Sequence, residues 1–97
     1  MTDKHIAIPM TKTEVNQFNA LGYHLNASNE QVLELLIEYA LSKDFKIELD
    51  DQKEFRKQAR VDEKLAKKFA KHCKRKKISQ SEMVRQALKQ KYSNLIL

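Results

Sequence analysis

The hydrophobic positions near the start of the chain alternate with polar or small ones. Within residues 5–10, Ile6, Ile8 and Met10 fall on one side, and a period of two residues is typical of a short β-strand. Pro9, on the other side, has no N–H group and weakens a hydrogen-bonded ladder, so we expect this strand to be short or to lie at a sheet edge.

The period then changes to that of a helix, and two helices are predicted in succession. Thr11 and Glu14 have the spacing of a capping box, followed by apolar residues at helical spacing. Asn26 is a good left-handed stop for this helix. Ser28 begins a second capping box, which opens a helix that we expect to run to about Ser42.

The same order of elements begins again in the second half. Residues 55–61 (FRKQARV) are the second strand candidate, and Asp62 is a good N-cap for an amphipathic helix. Residues 74–77 (KRKK) end that helix, where cations suit the negative end of the helix dipole. Ser79 and Glu82 form a third capping box and open the last helix.

The two halves therefore repeat one pattern of strand, helix and helix. A shift of fifty-one residues places Phe18 on Phe69 and Ser28 on Ser79, although few other residues are identical. The predicted fold is mainly α with a short two-stranded antiparallel ribbon, made of two tandem β-α-α units. Their expected bounds are residues 5–42 for the first unit, 43–54 for a linker, 55–93 for the second unit and 94–97 for an apolar tail.

Charge distinguishes the halves more sharply than sequence does. Residues 1–50 carry four Lys and eight Asp or Glu, whereas residues 51–97 carry fifteen Lys or Arg and five Asp or Glu. A split of this size indicates that the second half meets a polyanion and the first does not. The alternative is a solvated, lysine-rich surface.

The composition disfavours several other classes of protein. Cys73 is the only cysteine, so no internal disulfide is possible, and its place on an apolar stripe predicts a small core residue. The three histidines share no ligand spacing, and we expect no metal, no cofactor and no enzymatic activity. No segment has the pattern of a signal peptide or a membrane span, so we expect a cytoplasmic protein, of a prokaryotic cell or of a virus in its host, with no small-molecule ligand.

The second half resembles a known family. Residues 60–65 (RVDEKL), then a short helix, then residues 78–88 (ISQSEMVRQAL) are similar to the ribbon-helix-helix proteins. The most recognisable part is Ser-x-Ser-Glu followed by two apolar residues, Arg, any residue, Ala and Leu. The resemblance covers about forty residues of the second half well and the first half only in outline.

The resemblance implies a β-ribbon that enters the major groove of DNA, formed by one strand from each of two units. It places Arg56, Gln58 and Arg60 against base edges, where Arg can bond to guanine and Gln to adenine with paired hydrogen bonds. The alternative is a solvated strand edge that discourages aggregation. Lys57 falls on the inward face, where the family has an apolar residue. Its aliphatic chain can nevertheless pack against apolar side chains while its ammonium group remains in water.

The resemblance also assigns phosphate binding to the start of the last helix. Free N–H groups and the positive end of the helix dipole suit an anion there, and Ser79, Gln80 and Ser81 supply donors, with Lys76 and Lys77 just before them. The alternative is that Ser79 only caps the helix.

The first unit lacks these chemistries. Its outward strand positions are His5, Ala7 and Pro9, which cannot make paired hydrogen bonds with bases, and Glu30 at the start of its second helix would repel a phosphate. We therefore expect the first unit to be a structural mate for the second.

Two ways of pairing the units stay open. Either the two units of one chain pair with each other, or two chains pair their second units symmetrically. Attraction between the acidic and the basic unit favours the first, whereas the frequency of symmetric dimers favours the second. In either case the apolar residues outside the main stripes suggest a further contact between chains, made by Leu35, Tyr39, Leu95 and Leu97.

The expected function is sequence-specific binding of double-stranded DNA, as a plasmid, viral or chromosomal transcriptional regulator. The alternatives are an accessory protein of conjugative DNA processing and a protein-interaction module such as an antitoxin. A long disordered tail after the last unit is not expected, which counts against the antitoxin.

Overall fold

A computed structural model describes residues 3–43, 47–48 and 54–96 of the chain. It confirms a mainly helical fold with a two-stranded antiparallel sheet and four helices among these residues. In chain order the elements are β1 (Asp3–Met10), α1 (Lys12–Leu25), α2 (Asn29–Ser42), β2 (Phe55–Asp62), α3 (Glu63–Lys76) and α4 (Gln80–Ile96).

The strands β1 and β2 of the same chain pair along their whole length. The ladder runs from Asp3 opposite Asp62 to Met10 opposite Phe55, with Ala7 opposite Gln58 near its middle. β1 therefore begins two residues earlier than the alternation predicted, because β2 extends far enough to supply partners there. Of the two pairings that the sequence left open, the structure has the one within a single chain.

The strands alternate as their sequences predict, with one face toward the helices. The side chains buried on that face are Ile6, Ile8, Met10, Ala59 and Val61.

The helix boundaries follow from local hydrogen bonds. Thr11 and Ser28 each form a complete capping box, which confirms the predicted starts of α1 and α2. Both α1 and α3 end in a left-handed residue, Asn26 at φ 53° and Lys77 at φ 59°. Asn tolerates this conformation, whereas Lys occupies it at some steric cost. These two residues also correspond under the fifty-one-residue shift.

The two halves interlock, so neither half has a core of its own. α2 of the first half packs on β2, α4 of the second half packs on β1, and α2 and α4 pack against each other at the centre. The buried apolar residues of all six elements form one cluster. Burial of that cluster, and hence most of the hydrophobic stabilisation, requires both halves together.

The middle of α4 is buried on every side. Besides the apolar residues that the sequence pattern predicted there, Arg85 and Gln86 are each only 1% exposed. Arg85 Nε donates to Glu14 Oε1 over 2.7 Å, and the same carboxylate oxygen accepts from the Thr11 backbone N–H at 2.8 Å. This buried ion pair joins the first turn of α1 to the centre of α4, and sequence patterning assigned Glu14 only a capping role.

The ion pair has no equivalent in the other half of the molecule. Under the fifty-one-residue shift, Glu14 corresponds to Leu65 and Arg85 corresponds to Glu34. If two copies of the second half were paired in the same geometry, each Arg85 would face a leucine and remain buried without a counter-charge. Burying an unpaired charge is costly, so the pair favours association of the first half with the second half.

The expected linker and tail are described in part. Most of residues 43–54 lie outside the described residues, but Glu48 contacts α4: its N–H donates to Gln86 Oε1 and its carbonyl accepts from Lys89 Nζ, both at 2.9 Å. α4 continues past residue 93 to Ile96, into the segment expected to be a tail. The side chain of Leu95 and all of Leu97 lie outside the described part of the chain.

Replacing Arg85 by Met should destabilise the fold by about 3–5 kcal/mol, because it leaves the Glu14 carboxylate buried without its counter-charge. The measurement is the free energy of unfolding in urea at pH 7. The matched control is Lys67→Met, which removes an ion pair between Lys67 and Glu63 on the surface of α3 and should cost less than about 1 kcal/mol. Equal losses from the two changes would contradict the role given to the buried pair.

Cutting the chain between Asp50 and Asp51 should leave two fragments that are poorly folded alone, since each lacks half of the shared core. Mixing them should restore the helical circular dichroism of the intact chain. A fragment of residues 51–97 that folds alone into a stable homodimer would show that the shared core is dispensable.

Candidate nucleic-acid interface

The outward face of the ribbon carries the three residues predicted to read bases. Arg56, Gln58 and Arg60 are all exposed, and they point away from the buried side of β2. With a rise of roughly 3.4 Å per residue, the two arginine Cα atoms lie about 14 Å apart along the strand. The strand therefore presents one guanidinium toward each end of the ribbon and an amide between them.

The neighbouring strand presents a different surface. Across the ladder, His5 lies opposite Arg60, Ala7 opposite Gln58, and Pro9 opposite Arg56. These first-strand residues are exposed or half-buried on the same face. Each cross-strand pair thus places a long hydrogen-bonding side chain of β2 directly opposite a small or cyclic side chain of β1, and the face is chemically asymmetric.

Lys57 lies on the inward side of β2, as its register requires. The residue is half-buried, and its Nζ atom lies 5.3 Å from the centroid of the Phe18 ring. Its aliphatic stem covers the edge of the core while the ammonium group rests over an aromatic face. This contact explains how a lysine is accommodated where the family pattern has an apolar residue.

The start of α4 is capped by Ser79, as the sequence predicts, and this cap limits which groups can bind an anion. The Ser79 hydroxyl accepts from the Glu82 N–H at 3.1 Å and donates to Glu82 Oε1 at 2.9 Å. That hydroxyl is therefore engaged with Glu82. The donors that remain for an anion are the backbone N–H groups of Gln80 and Ser81, which have no carbonyl partner in the preceding turn of the helix, and the half-buried side chains of the same two residues.

The turn before α4 is basic and exposed. Lys76 closes α3 and Lys77 follows as its left-handed cap, and both side chains are exposed. The corresponding turn before α2 contains Asn26 instead, and Glu30 is exposed in the first turn of that helix. Only the second of the two turns has the charge that attracts phosphate.

The exposed faces of two neighbouring helices have opposite charge. On α2 the exposed glutamates are Glu30, Glu34 and Glu38, spaced four residues apart along one side. On α3 the exposed cations are Lys64, Lys67, Lys68, Lys71, Lys74, Arg75 and Lys76. The charge split of the sequence is therefore also a split between surfaces of the folded molecule.

Of the residues predicted to join chains together, two are described, and both are half-buried. Leu35 lies on α2 between its exposed and buried faces. Tyr39 contacts α4 of its own chain: Lys91 Nζ lies 4.9 Å from its ring centroid, and Asn94 Nδ2 donates to its hydroxyl at 3.2 Å. The aromatic face of Tyr39 thus already has partners within the chain.

Cys73 is buried, and desolvation raises the pKa of its thiol to about 11. The thiol stays protonated at neutral pH, whereas a thiolate is the form that acts as a nucleophile. No group of three potential metal ligands occurs among the residues that the structure describes. Within the same residues, no helix is long and apolar enough to cross a membrane.

Comparison with known proteins bears on the second half of the chain. Residues 58–94, which span most of β2, all of α3 and nearly all of α4, match the model of the ribbon-helix-helix proteins of the copG family. No curated protein and no solved structure matches the chain. Proteins of this family are typically non-enzymatic, DNA-binding transcription regulators or antitoxins, and they dimerise. The second half of the chain is therefore similar to a ribbon-helix-helix protein in both sequence pattern and order of elements.

Proposed function

We propose that this protein binds double-stranded DNA in a sequence-specific manner, through its β-ribbon in the major groove, and acts as a transcriptional regulator. The observation that carries the proposal is the exposed row of Arg56, Gln58 and Arg60 on a two-stranded antiparallel ribbon. Most of this strand lies in the segment that matches a family of typically DNA-binding proteins.

The chemistry of the row suits base recognition. A guanidinium group donates two parallel hydrogen bonds to guanine O6 and N7, and a carboxamide pairs with adenine N6 and N7. Arg56 and Arg60 lie on either side of Gln58 in the register of the ladder. We infer that the protein reads guanines near the two ends of its contact and adenine near the middle.

Phosphate contacts would hold the ribbon in register. The N–H groups of Gln80 and Ser81 at the start of α4, with Lys76 and Lys77 before it, form a cationic donor set of the kind that binds the DNA backbone. Ser79 would contribute by holding the turn in place, because its hydroxyl is hydrogen-bonded to the N–H and the carboxylate of Glu82.

We further propose that the chain contains two tandem ribbon-helix-helix units, of which the first is a structural mate. It supplies β1 to the ribbon, but its outward residues His5, Ala7 and Pro9 have no paired hydrogen bonds to offer. One ribbon would then carry a single reading strand. The DNA contact of one chain would accordingly lack two-fold symmetry, unlike that of a homodimeric reader.

Binding to duplex DNA should weaken steeply with salt, because each phosphate neutralised releases a condensed counterion. The logarithm of the association constant should fall by about 0.9 per neutralised phosphate for each tenfold rise in salt. Fluorescence anisotropy with a random-sequence duplex at several salt concentrations measures this slope. A slope near zero would remove the DNA proposal and favour a protein-interaction module.

Single replacement of Arg56, Gln58 or Arg60 by Ala should weaken binding to a selected DNA site by about 1–3 kcal/mol, with relaxed preference at particular base pairs. Circular dichroism should stay unchanged, since all three side chains are exposed. Binding-site selection from a random pool supplies both the DNA and the readout.

The matched controls lie on the facing strand. His5→Ala and Ala7→Ser change exposed residues of the same ribbon face, and each should leave affinity nearly unchanged. If these changes cost as much as those on β2, both strands read bases and the first unit is more than a structural mate.

A further inference from the structure

A groove of about 760 Å³ lies between the C-terminal half of α2 and the length of α3. Its apolar lining includes Leu41 from α2 and Leu65 from α3. The corresponding helices α1 and α4 pack more closely and are joined by the ion pair of Glu14 with Arg85. Leu65 is the counterpart of Glu14, so the groove occupies the place where the fold has no such pair.

The cations of the groove share one face of α3. Lys68, Lys71 and Arg75 line it at intervals of three and four residues, which places them side by side on a helix. Neither lysine has a hydrogen-bond or ion-pair partner among the described residues. Among the described residues that line the groove, Glu38 on the α2 wall is the one acidic residue, so these side chains together carry net positive charge.

His72 adds a hydrogen-bond donor that has no acceptor. Arg75 Nη2 lies 3.3 Å from His72 Nδ1, and a guanidinium can only donate, so Nδ1 must accept. A neutral imidazole then carries its proton on Nε2. That atom is buried and has no hydrogen-bond partner among the described residues, in a side chain that lines the groove and is 9% exposed. An unsatisfied buried donor is unfavourable, and an oxygen acceptor would satisfy it.

We propose that this groove is a binding site for a small organic anion with an apolar body. Its anionic oxygens would contact Lys68, Lys71 and Arg75, and its apolar part would lie on Leu41 and Leu65. A small rearrangement around the buried His72 ring would let one of these oxygens accept a hydrogen bond from Nε2. The volume is in the range of small-molecule sites, which combine apolar walls with a few polar groups.

The walls select against two other anions. Glu38 lines the groove, and the exposed Glu34 and Glu30 continue this acidic row along α2 toward its N-terminus. A row of carboxylates on this wall repels a long polyanion such as DNA. An inorganic anion would leave the apolar wall in contact with water. The site stands independently of the DNA proposal, and it adds a ligand that the sequence did not predict.

The test uses 8-anilinonaphthalene-1-sulfonate, an organic anion with an apolar body, on the full-length chain at pH 7. At physiological ionic strength charges beyond about 8 Å are screened, so contacts in the groove dominate. We expect saturable binding of one molecule per chain by calorimetry. We also expect shifted NMR signals from Leu65 and from the His72 ring nitrogens, with Nε2 as the protonated nitrogen of the free protein.

The decisive comparison is between two double variants of α3. Lys68→Gln with Lys71→Gln removes two groove cations and should weaken binding roughly tenfold or more, given the strength of hydrogen bonds to charged groups. Lys64→Gln with Lys67→Gln makes the same charge change at exposed residues of the same helix that do not line the groove, and it should change affinity by less than about twofold.

Four outcomes would overturn the proposal. Equal weakening by the two double variants would show attraction to net charge alone. Unchanged affinity in the groove variant, or unshifted His72 signals, would place the probe elsewhere. Sulfate binding as tightly as the probe would show that the apolar wall has no part. The thermal melting curves of both variants should stay close to that of the parent, because all four lysines are exposed and the surface ion pair of Lys67 with Glu63 contributes less than about 1 kcal/mol.

Discussion

A charged side chain can be buried at acceptable cost only when an oppositely charged group lies beside it. In the interior of this fold, Arg85 Nε lies 2.7 Å from Glu14 Oε1. One partner comes from the first turn of α1 and the other from the middle of α4, so the contact spans the two halves of the chain. Because their counterparts under the internal shift are Leu65 and Glu34, this ion pair forms between unlike halves and would not form between two like halves. The pair therefore favours the ribbon in which β1 lies beside β2.

The pairing of unlike halves accounts for the asymmetry of the surface. A ribbon made from β1 and β2 has one strand with Arg56, Gln58 and Arg60, and one with small or cyclic side chains. The acidic face of α2 and the basic face of α3 follow from the same division. The groove lies between the C-terminal half of α2 and α3, where Leu65 stands in place of a counterpart to Glu14. The proposed DNA contact and the proposed anion site both derive from the inequality of the two halves.

Much of the fold could be predicted from periodicity and caps. The capping boxes at Thr11 and Ser28 form between residues three positions apart. The alternation at Ile6 and Ile8 is likewise a local pattern, so both features can be read from the sequence alone. The exposed row on β2 followed from the same alternation. The burial of Arg85 could not be predicted, because it depends on a carboxylate seventy-one residues away. An arginine within the apolar run of the last helix was the only signal. The groove beside His72 likewise depends on how two distant helices pack.

A single chain forms its own ribbon in this fold. The most direct test is isotope-filtered NMR on an equal mixture of labelled and unlabelled protein, unfolded together and refolded. We expect cross-strand contacts between His5 and Arg60, and between Pro9 and Arg56, within the same chain and none between labelled and unlabelled chains. Cross-strand contacts between the two kinds of chain would contradict it, and they would show that the ribbon is built by a dimer.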